Sequence, residues 1–423
     1  MSAQAAPGLS TAATIINLHP DLATLLASPP TDALLALAQE LVSRPDHSHP
    51  VKSAIIAWIQ WAQLVLASAG GGNGLLVNNR TFTSAIDVEL SRLGEIHSSA
   101  SPVVPVKIPL ENGKWKHAFS FGELMKVVDV GSIKSCVFGD IRRGYVTSKK
   151  NEHYYAVTGD PVVVKVCNLD LFARRTNTKG DLVFEDVNQE LAVMTLLSRF
   201  EHPYILKLSA AGKDDINCLY TVFPMGKQSL WDKLKTEGGC NTLAFFHQVR
   251  TQIGSALTCL HSLGFAHRDV SLENILEMED RTLRLIDFGL CKQLSLLNRD
   301  DGLWGRIGLE VQGDQGFLVG KTRYCAPELF IAPPGVKHTE LRYDAQKADV
   351  FGLGICLYVL VYNAFPYNHV YRDRYLVSTS QLVEFWGNDP GRFLKVDPPI
   401  QPWMERILHL DATKRWTARE CCM

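Results

Sequence analysis

The sequence predicts an α+β chain in which strands and helices are segregated, with a helical region ahead of both. Two observations carry this. From Phe119 onward short β-type runs follow one another: Val127 and Val128, residues 135–141, residues 154–157, and the valine-rich run 162–166. After Gly226 the apolar spacing turns mostly helical and stays so to the end. A helix over 184–200 and strands near Ile205 and Leu219 lie between these regions.

The first part of the chain reads differently. Residues 1–12 are rich in Ala and Ser and are expected to be disordered. Thr31 can cap a helix running to Arg44, with Leu34, Leu37 and Leu41 on one face and Pro45 beyond its end. A second helix spans 51–68, and a third spans 84–97 with Ile86, Leu90 and Leu93 in register. Residues 53–69 carry no charge, but Gln60 and Gln63 interrupt them and Gly70 to Gly72 end the helix. A bilayer span needs about 20 apolar residues, so a buried helix is expected there and no membrane span. Residues 98–105, SSASPVVP, read as a linker. The expected divisions are therefore 1–105, 106–225 and 226–423. Short helices with broad apolar faces must pack on something. Trp58 and Trp61 either fill the N-terminal region's own core or meet a protein partner.

Composition narrows the class. The 423 residues are 46% hydrophobic and 21% charged, a globular balance. A net charge of -1 gives no electrostatic reason for nucleic acid as a partner. The ten cysteines lack metal-ligand spacing and read as reduced thiols of a cytoplasmic protein. No basic stretch followed by an apolar run opens the chain, so no signal peptide is expected.

Three motifs point to chemistry. His267-Arg268-Asp269-Val270-Ser271-Leu272-Glu273-Asn274 comes first, then Asp287-Phe288-Gly289, then Ala326-Pro327-Glu328, each between apolar runs. In that order they match the protein-kinase signature set, and residues from about 118 to 423 resemble a protein kinase domain. The resemblance implies a two-lobed fold, a small antiparallel-sheet lobe followed by a large helical lobe. It implies ATP and Mg²⁺ as cofactors and a protein substrate.

The resemblance also assigns roles. Lys165, flanked by valines, looks like the strand lysine that grips phosphates; an ammonium on a buried strand is otherwise costly. Its carboxylate partner is expected to be Glu190, with Glu185 as the rival. Asp269 looks like the residue that orients the substrate hydroxyl and accepts its proton, while His267 packs as structure. Asn274 and Asp287 would hold Mg²⁺ through oxygen. Phe223 falls at the gatekeeper position, with backbone groups of Pro224 and Met225 toward the adenine edge, and Val163 and Leu276 fall where the family sandwiches the ring. Asp349 would brace the catalytic loop, and Glu328 would pair with Arg415.

The chain departs from the family in three places. The glycine-rich loop offers a single glycine over 130–138: placing Gly131 first puts Ile133 and Cys136 at the other glycine positions, whereas closing on Val137 puts Val130, Ser132 and Ser135 there. Few glycines mean less room for phosphates against the backbone, which leaves a pseudokinase scaffold as the alternative to an active kinase. Ser271 stands where serine/threonine kinases usually carry lysine, and Lys321 stands where they usually carry threonine. Tyr324, where tyrosine kinases typically have Trp, favours the serine/threonine type. Arg268 is expected to bind a phosphate on the activation segment, at Ser295 or Thr322, or an acidic mimic among Asp300, Asp301 and Asp314. The last helix, close to Met423, is expected to be loosely packed.

Overall fold

The computed structural model describes residues 32–43, 103–122, 125–151, 153–174, 185–198, 202–238, 242–262, 265–293, 319–329, 343–366 and 399–423. The expected helices over 51–68 and 84–97, with Trp58 and Trp61, lie outside these residues, as do Thr31, Ser295, Asp300, Asp301 and Asp314. Helix α1, Asp32–Ser43, forms where the sequence places it, with Ala38 and Leu41 buried. The chain divides into a strand-rich unit, Val88–Ser198 with Leu206–Lys227, and a helical unit of Met1–Asp87, Arg199–Ile205 and Gln228–Met423.

The strand-rich unit is one antiparallel sheet. Its strands are β1 (Val104–Pro109), β2 (Trp115–Phe121), β3 (Met125–Cys136), β4 (Gly139–Lys149), β5 (Tyr155–Asn168), β6 (Ala210–Lys213) and β7 (Cys218–Pro224), in spatial order β1-β2-β3-β4-β5-β7-β6. Alternation along β5 sets the two faces, because successive side chains point opposite ways. Val162 and Val164 are buried with Val127, Phe121, Tyr220 and Val222. Val163 and Lys165 therefore take the other face, opposite Phe223 and Thr221 of β7.

Three sequence expectations change here. Residues 98–105 do not read through as a linker: β1 pairs Val104 with Ser120 and Pro105 with Phe119, and the Val103 N–H donates to the Lys213 carbonyl at 2.9 Å. Proline is tolerated because β1 ends the sheet order. The runs 154–157 and 162–166 are one strand, since a register shift between Tyr145 and Thr147 on β4 lets β5 continue past Pro161. The strand expected at Ile205 is a single bridge to Leu285, and β6 follows later.

Helices α2 (Leu169–Ala173) and α3 (Val187–Ser198) complete this unit. The Asp186 carboxylate accepts from the Asn188 and Gln189 amides, both at 3.0 Å, and so starts α3 at Val187 instead of residue 184.

The helical unit is built on α4 (Leu230–Glu237), α5 (Leu243–Ser262), α6 (Ala345–Tyr362), α7 (Gln401–Ile407) and α8 (Ala418–Cys421). Short strands β8 (Gln228–Ser229), β10 (Ile275–Glu277) and β11 (Leu283–Leu285) form a small sheet, and β9 (Phe265–Ala266) pairs with β12 (Lys292–Gln293). Asp344 caps α6, its carboxylate accepting from the Gln346 and Lys347 amides. Among the described residues α6 alone is long and apolar enough to cross a bilayer, but its side chains are core: Val350, Leu353, Ile355 and Leu357 have no exposed surface. A Cβ on Gly354 would lie 2.5 Å from Leu408, so glycine is required for that approach.

The expectation of a loose last helix is overturned. Thr417 and Glu420 make a reciprocal capping box on α8, Cys421 is fully buried, and Arg250 of α5 donates to the Cys421 carbonyl.

Candidate active site

The strand-rich unit holds a paired cation. Lys165 Nζ donates to both carboxylate oxygens of Glu190, at 2.9 and 2.7 Å. Both side chains are largely shielded, with exposures of 16% and 13%. Glu190 is thus the carboxylate that meets the strand lysine. The pair lines a small pocket with Val187, Met194, Thr221 and Phe223. We expect Glu190→Gln to lower phosphoryl transfer about 10²-fold, since a neutral amide leaves the ammonium unaimed, and Glu185→Gln to stay near the parent rate. Steady-state kinetics on both variants checks this, and the reverse order would reassign the helix register.

The backbone after Phe223 differs from expectation. Met225 was expected to turn its backbone groups to a ligand, yet its N–H donates to the Pro161 carbonyl at 3.1 Å and ends the ladder of β5 with β7. Pro224 has no N–H, so Gly226 carries the first amide beyond that ladder.

The glycine-rich loop also moves. Cys136 pairs with Gly139, so the hairpin turns at Val137 and Phe138. Gly131, expected to open the phosphate loop, instead sits on β3 opposite Arg143 beside a register shift, with φ 135°. Val137, expected on the strand after the loop, is at the turn. With the turn as the centre of the G-x-G-x-x-G pattern, Gly139 is its last glycine, and Lys134 and Cys136 take the first two places. A Cβ on Gly139 would lie 2.2 Å from the Val166 carbonyl oxygen, next to Lys165. Ile141, in register with Lys165, takes the place expected of Val137. The Cys136 thiol is held below the ordinary thiol range, chiefly by the Cys167 thiol, against burial and with help from the Lys165 ammonium.

The helical unit holds the loop chemistry. Asp349 of α6 is buried, and its carboxylate accepts from the His267 and Arg268 amides, both at 2.7 Å, and from His261 Nε2 at 2.8 Å. This brace holds Arg268 at φ 67°, a left-handed conformation that non-glycine residues rarely adopt. His267 has no exposed surface; its Nδ1 accepts from the Asp269 N–H and its Nε2 donates to the Ile286 carbonyl. The ring also meets Phe288 edge-on at 5.1 Å. His267 is therefore a structural post for the loop.

Asp269 sits at the centre. Its Oδ2 accepts from Asn274 Nδ2 and from Lys321 Nζ, both at 2.6 Å, and its Oδ1 accepts from the Lys321 N–H at 3.1 Å. Asn274 also donates to the Asp269 carbonyl at 2.9 Å. Its amide nitrogen is thus committed, and Oδ1 is the acceptor end of the same amide. Asp287 follows β11 at φ 66°, and the preceding Ile286 amide is tied to the Asn274 carbonyl at 3.0 Å. Leu276 is half-buried on β10 between Arg284 and Ser229.

An amide oxygen and a carboxylate are hard donors and fit Mg²⁺. That ion takes one or two protein ligands beside phosphates and water. Among the described residues no cluster of three or more His, Cys, Asp or Glu gathers as a metal cage, and Mg²⁺ requires none.

Sequence reasoning missed Lys321 and Gly320 as members of this site. Gly320 has φ 90°, and a Cβ there would lie 2.4 Å from the Arg268 carbonyl oxygen. Only glycine lets the later segment approach the catalytic loop so closely. Farther from Asp269, Arg415 grips Glu328 with two bonds, Nη1 to Oε1 at 2.7 Å and Nη2 to Oε2 at 3.0 Å, as expected from the sequence.

A braced loop presenting Asp269 and Asn274, an Asp-Phe-Gly turn tied to it, and a lysine–glutamate pair under a hairpin together define one class of protein. The chain belongs to the protein kinase domain family, which matches residues 146–423. It is similar to Serine/threonine-protein kinase CHK1 of Saccharomyces cerevisiae, 28% identical over 311 residues that cover 70% of this chain and 51% of the relative. It is also similar to 3-phosphoinositide-dependent protein kinase 1 of Homo sapiens, 28% identical over 226 residues covering 53% of this chain and 35% of that protein. CBL-interacting protein kinase 11 of Oryza sativa subsp. japonica is 31% identical over 224 residues, covering 51% and 38%. The chain spans about a third to a half of the length of these relatives. The family match begins within β4, so β1, β2 and β3 lie ahead of it.

Proposed function

We propose that the chain is an ATP- and Mg²⁺-dependent protein kinase that transfers the γ-phosphate of ATP to serine or threonine hydroxyls of proteins. The observation that carries the reading is the bonding of Asp269, whose carboxylate is fixed by Asn274 and Lys321 on a loop braced by Asp349. Asp269 orients the acceptor hydroxyl and takes its proton. Lys165, aimed by Glu190, neutralises phosphate oxygen. Asn274 and Asp287 hold Mg²⁺, which when bound supplies positive charge to the phosphates. Similarity to the yeast serine/threonine-protein kinase supports serine and threonine as acceptors. A cytoplasmic setting belongs to the same proposal and is supported by nine free thiols among the described residues.

The hairpin favours a second reading. Lys134 and Cys136 stand where the phosphate loop calls for glycine, which points to a scaffold with weak or no turnover. Incubating the purified chain with Mg-ATP and a serine/threonine/tyrosine peptide library separates the two. The kinase reading expects phosphate on serine and threonine peptides. A Mg-ATP-dependent rise in Tm with no phosphate on any peptide, or on the chain itself, would establish the scaffold.

A further inference from the structure

The Asp269 carboxylate of the catalytic loop is paired with an ammonium that comes from outside that loop. Lys321 Nζ lies 2.6 Å from Asp269 Oδ2 and 3.1 Å from Ser271 Oγ. Burial opposes its charge, but Asp269 foremost, then Glu273 and Asp287, keep it raised above the ordinary lysine range. Lys321 thus stays protonated at any working pH. Its side chain is 37% exposed, whereas the Asp269 side chain is 10% exposed. Ser271 has no exposed surface, and its hydroxyl accepts from the ammonium from below. The position of Nζ is set three times over: by the carboxylate, by the hydroxyl, and by the Lys321 amide bonded to Asp269 Oδ1 at 3.1 Å.

A cation beside the group that receives the hydroxyl proton is where transferring phosphate needs compensation. From this juxtaposition we infer that Lys321 is a further catalytic residue, whose ammonium contacts the transferring phosphoryl group, and that Ser271 is its positioning residue. The inference rests on the kinase reading above. In the step it serves, the acceptor oxygen forms a bond to the γ-phosphorus and the bond to the β–γ bridging oxygen breaks. ADP leaves with that electron pair, and the hydroxyl proton passes to Asp269. Lys321 keeps its own proton and screens the phosphoryl oxygens throughout. Ser271 and Lys321 stand where the kinase resemblance leads one to expect lysine and threonine. Charge and hydroxyl have traded elements. The cation is thus supplied by the segment at Gly320 and the 3₁₀ turn Thr322–Tyr324, which packs against the catalytic loop.

The test uses the full chain in four forms: parent, Lys321→Thr, Ser271→Lys, and the double exchange Ser271→Lys with Lys321→Thr. kcat and peptide KM are measured with Mg-ATP, and melting shifts are compared for Mg-ATP and Mg-ADP. Lys321→Thr is expected to lower kcat about 10²–10³-fold with peptide KM little changed, and to abolish the larger Mg-ATP shift relative to Mg-ADP. The double exchange is expected to recover kcat to within about tenfold of the parent, since the ammonium returns from the other side of the same gap. A lysine that merely held the segment in place would not be rescued this way. Parent-like or faster turnover by Lys321→Thr overturns the inference, the faster case showing a cap on Asp269. So does a double exchange that melts like the parent but stays as slow as the single. A parent that binds nucleotide without transferring phosphate defeats the kinase reading, yet the ATP-over-ADP difference still decides the contact. A parent that binds no nucleotide removes both.

Discussion

Replacing Asp269 by asparagine is expected to lower single-turnover phosphoryl transfer about 10²–10⁴-fold while the protein still folds. The reason lies in the bonds around the carboxylate. Oδ2 takes hydrogens from Asn274 and Lys321, and Oδ1 takes one from the Lys321 backbone. An asparagine can satisfy only one of these positions as acceptor, and its amide would turn a donor toward the other. It can no longer receive a proton from a hydroxyl. The buried posts of the loop, His267 and Asp349, are untouched, so Tm should move by only a few degrees. Rapid-quench measurement with saturating Mg-ATP, beside a thermal melt, checks both halves. Transfer near the parent rate would remove Asp269 from the reaction.

The second large effect concerns stability. Glu328→Ala is expected to cost about 3–5 kcal/mol, because it strands a buried guanidinium. Arg415 has no exposed side-chain surface, whereas Glu328 keeps 20%. Besides Glu328, the guanidinium donates to the carbonyls of His409, Lys347 and Leu410 and lies over the Phe351 ring at 4.9 Å. Those contacts keep Arg415 inside after the carboxylate is gone, so its charge stays uncompensated in a low-dielectric site. Arg415→Met should be milder, since the partner left behind is partly solvated and the methionine fills the space. Against a usual total of about 5–15 kcal/mol, the glutamate change is expected to lower Tm by roughly 10 °C. Equal melting of Glu328→Ala and the parent would show that the pair contributes nothing net.

Much of the site was legible because its chemistry needs rare combinations of residues in a set order. Asp269, Asn274 and Asp287 are named by motif, and the valines around Lys165 mark a strand whose alternation places the ammonium on one face. Glu190 came from the kinase resemblance with Glu185 as its rival, and the contact with Lys165 decided between them; Asp349 and Arg415 came from their own short motifs. The motif assignments are local: a residue type, a period and a neighbour suffice. The phosphate hairpin was not local. Gly131 drew attention as the glycine of its run, but the ladder between β3 and β4 sets the turn at Val137 and Phe138, and register depends on pairing across strands. The Met225 amide looked available until β5 supplied the Pro161 carbonyl that takes it. The first two residues of β1, Val104 and Pro105, fall in the expected linker because proline and serine dominate that stretch, while the edge position that tolerates them belongs to the sheet.

The amino-acid order by itself determined the kinase class and the segregation of strands and helices, and it singled out the carboxylates and the lysine expected to carry the chemistry, because motif spacing and side-chain period are properties of the chain. Only the tertiary structure decided that the cation beside Asp269 comes from Lys321. Asp269 and Lys321 are far apart in sequence, and nothing local links them. The left-handed turn at Gly320 and the brace from Asp349 bring them within 2.6 Å. Such a contact is set by the free energy of packing two segments together, which no single segment encodes.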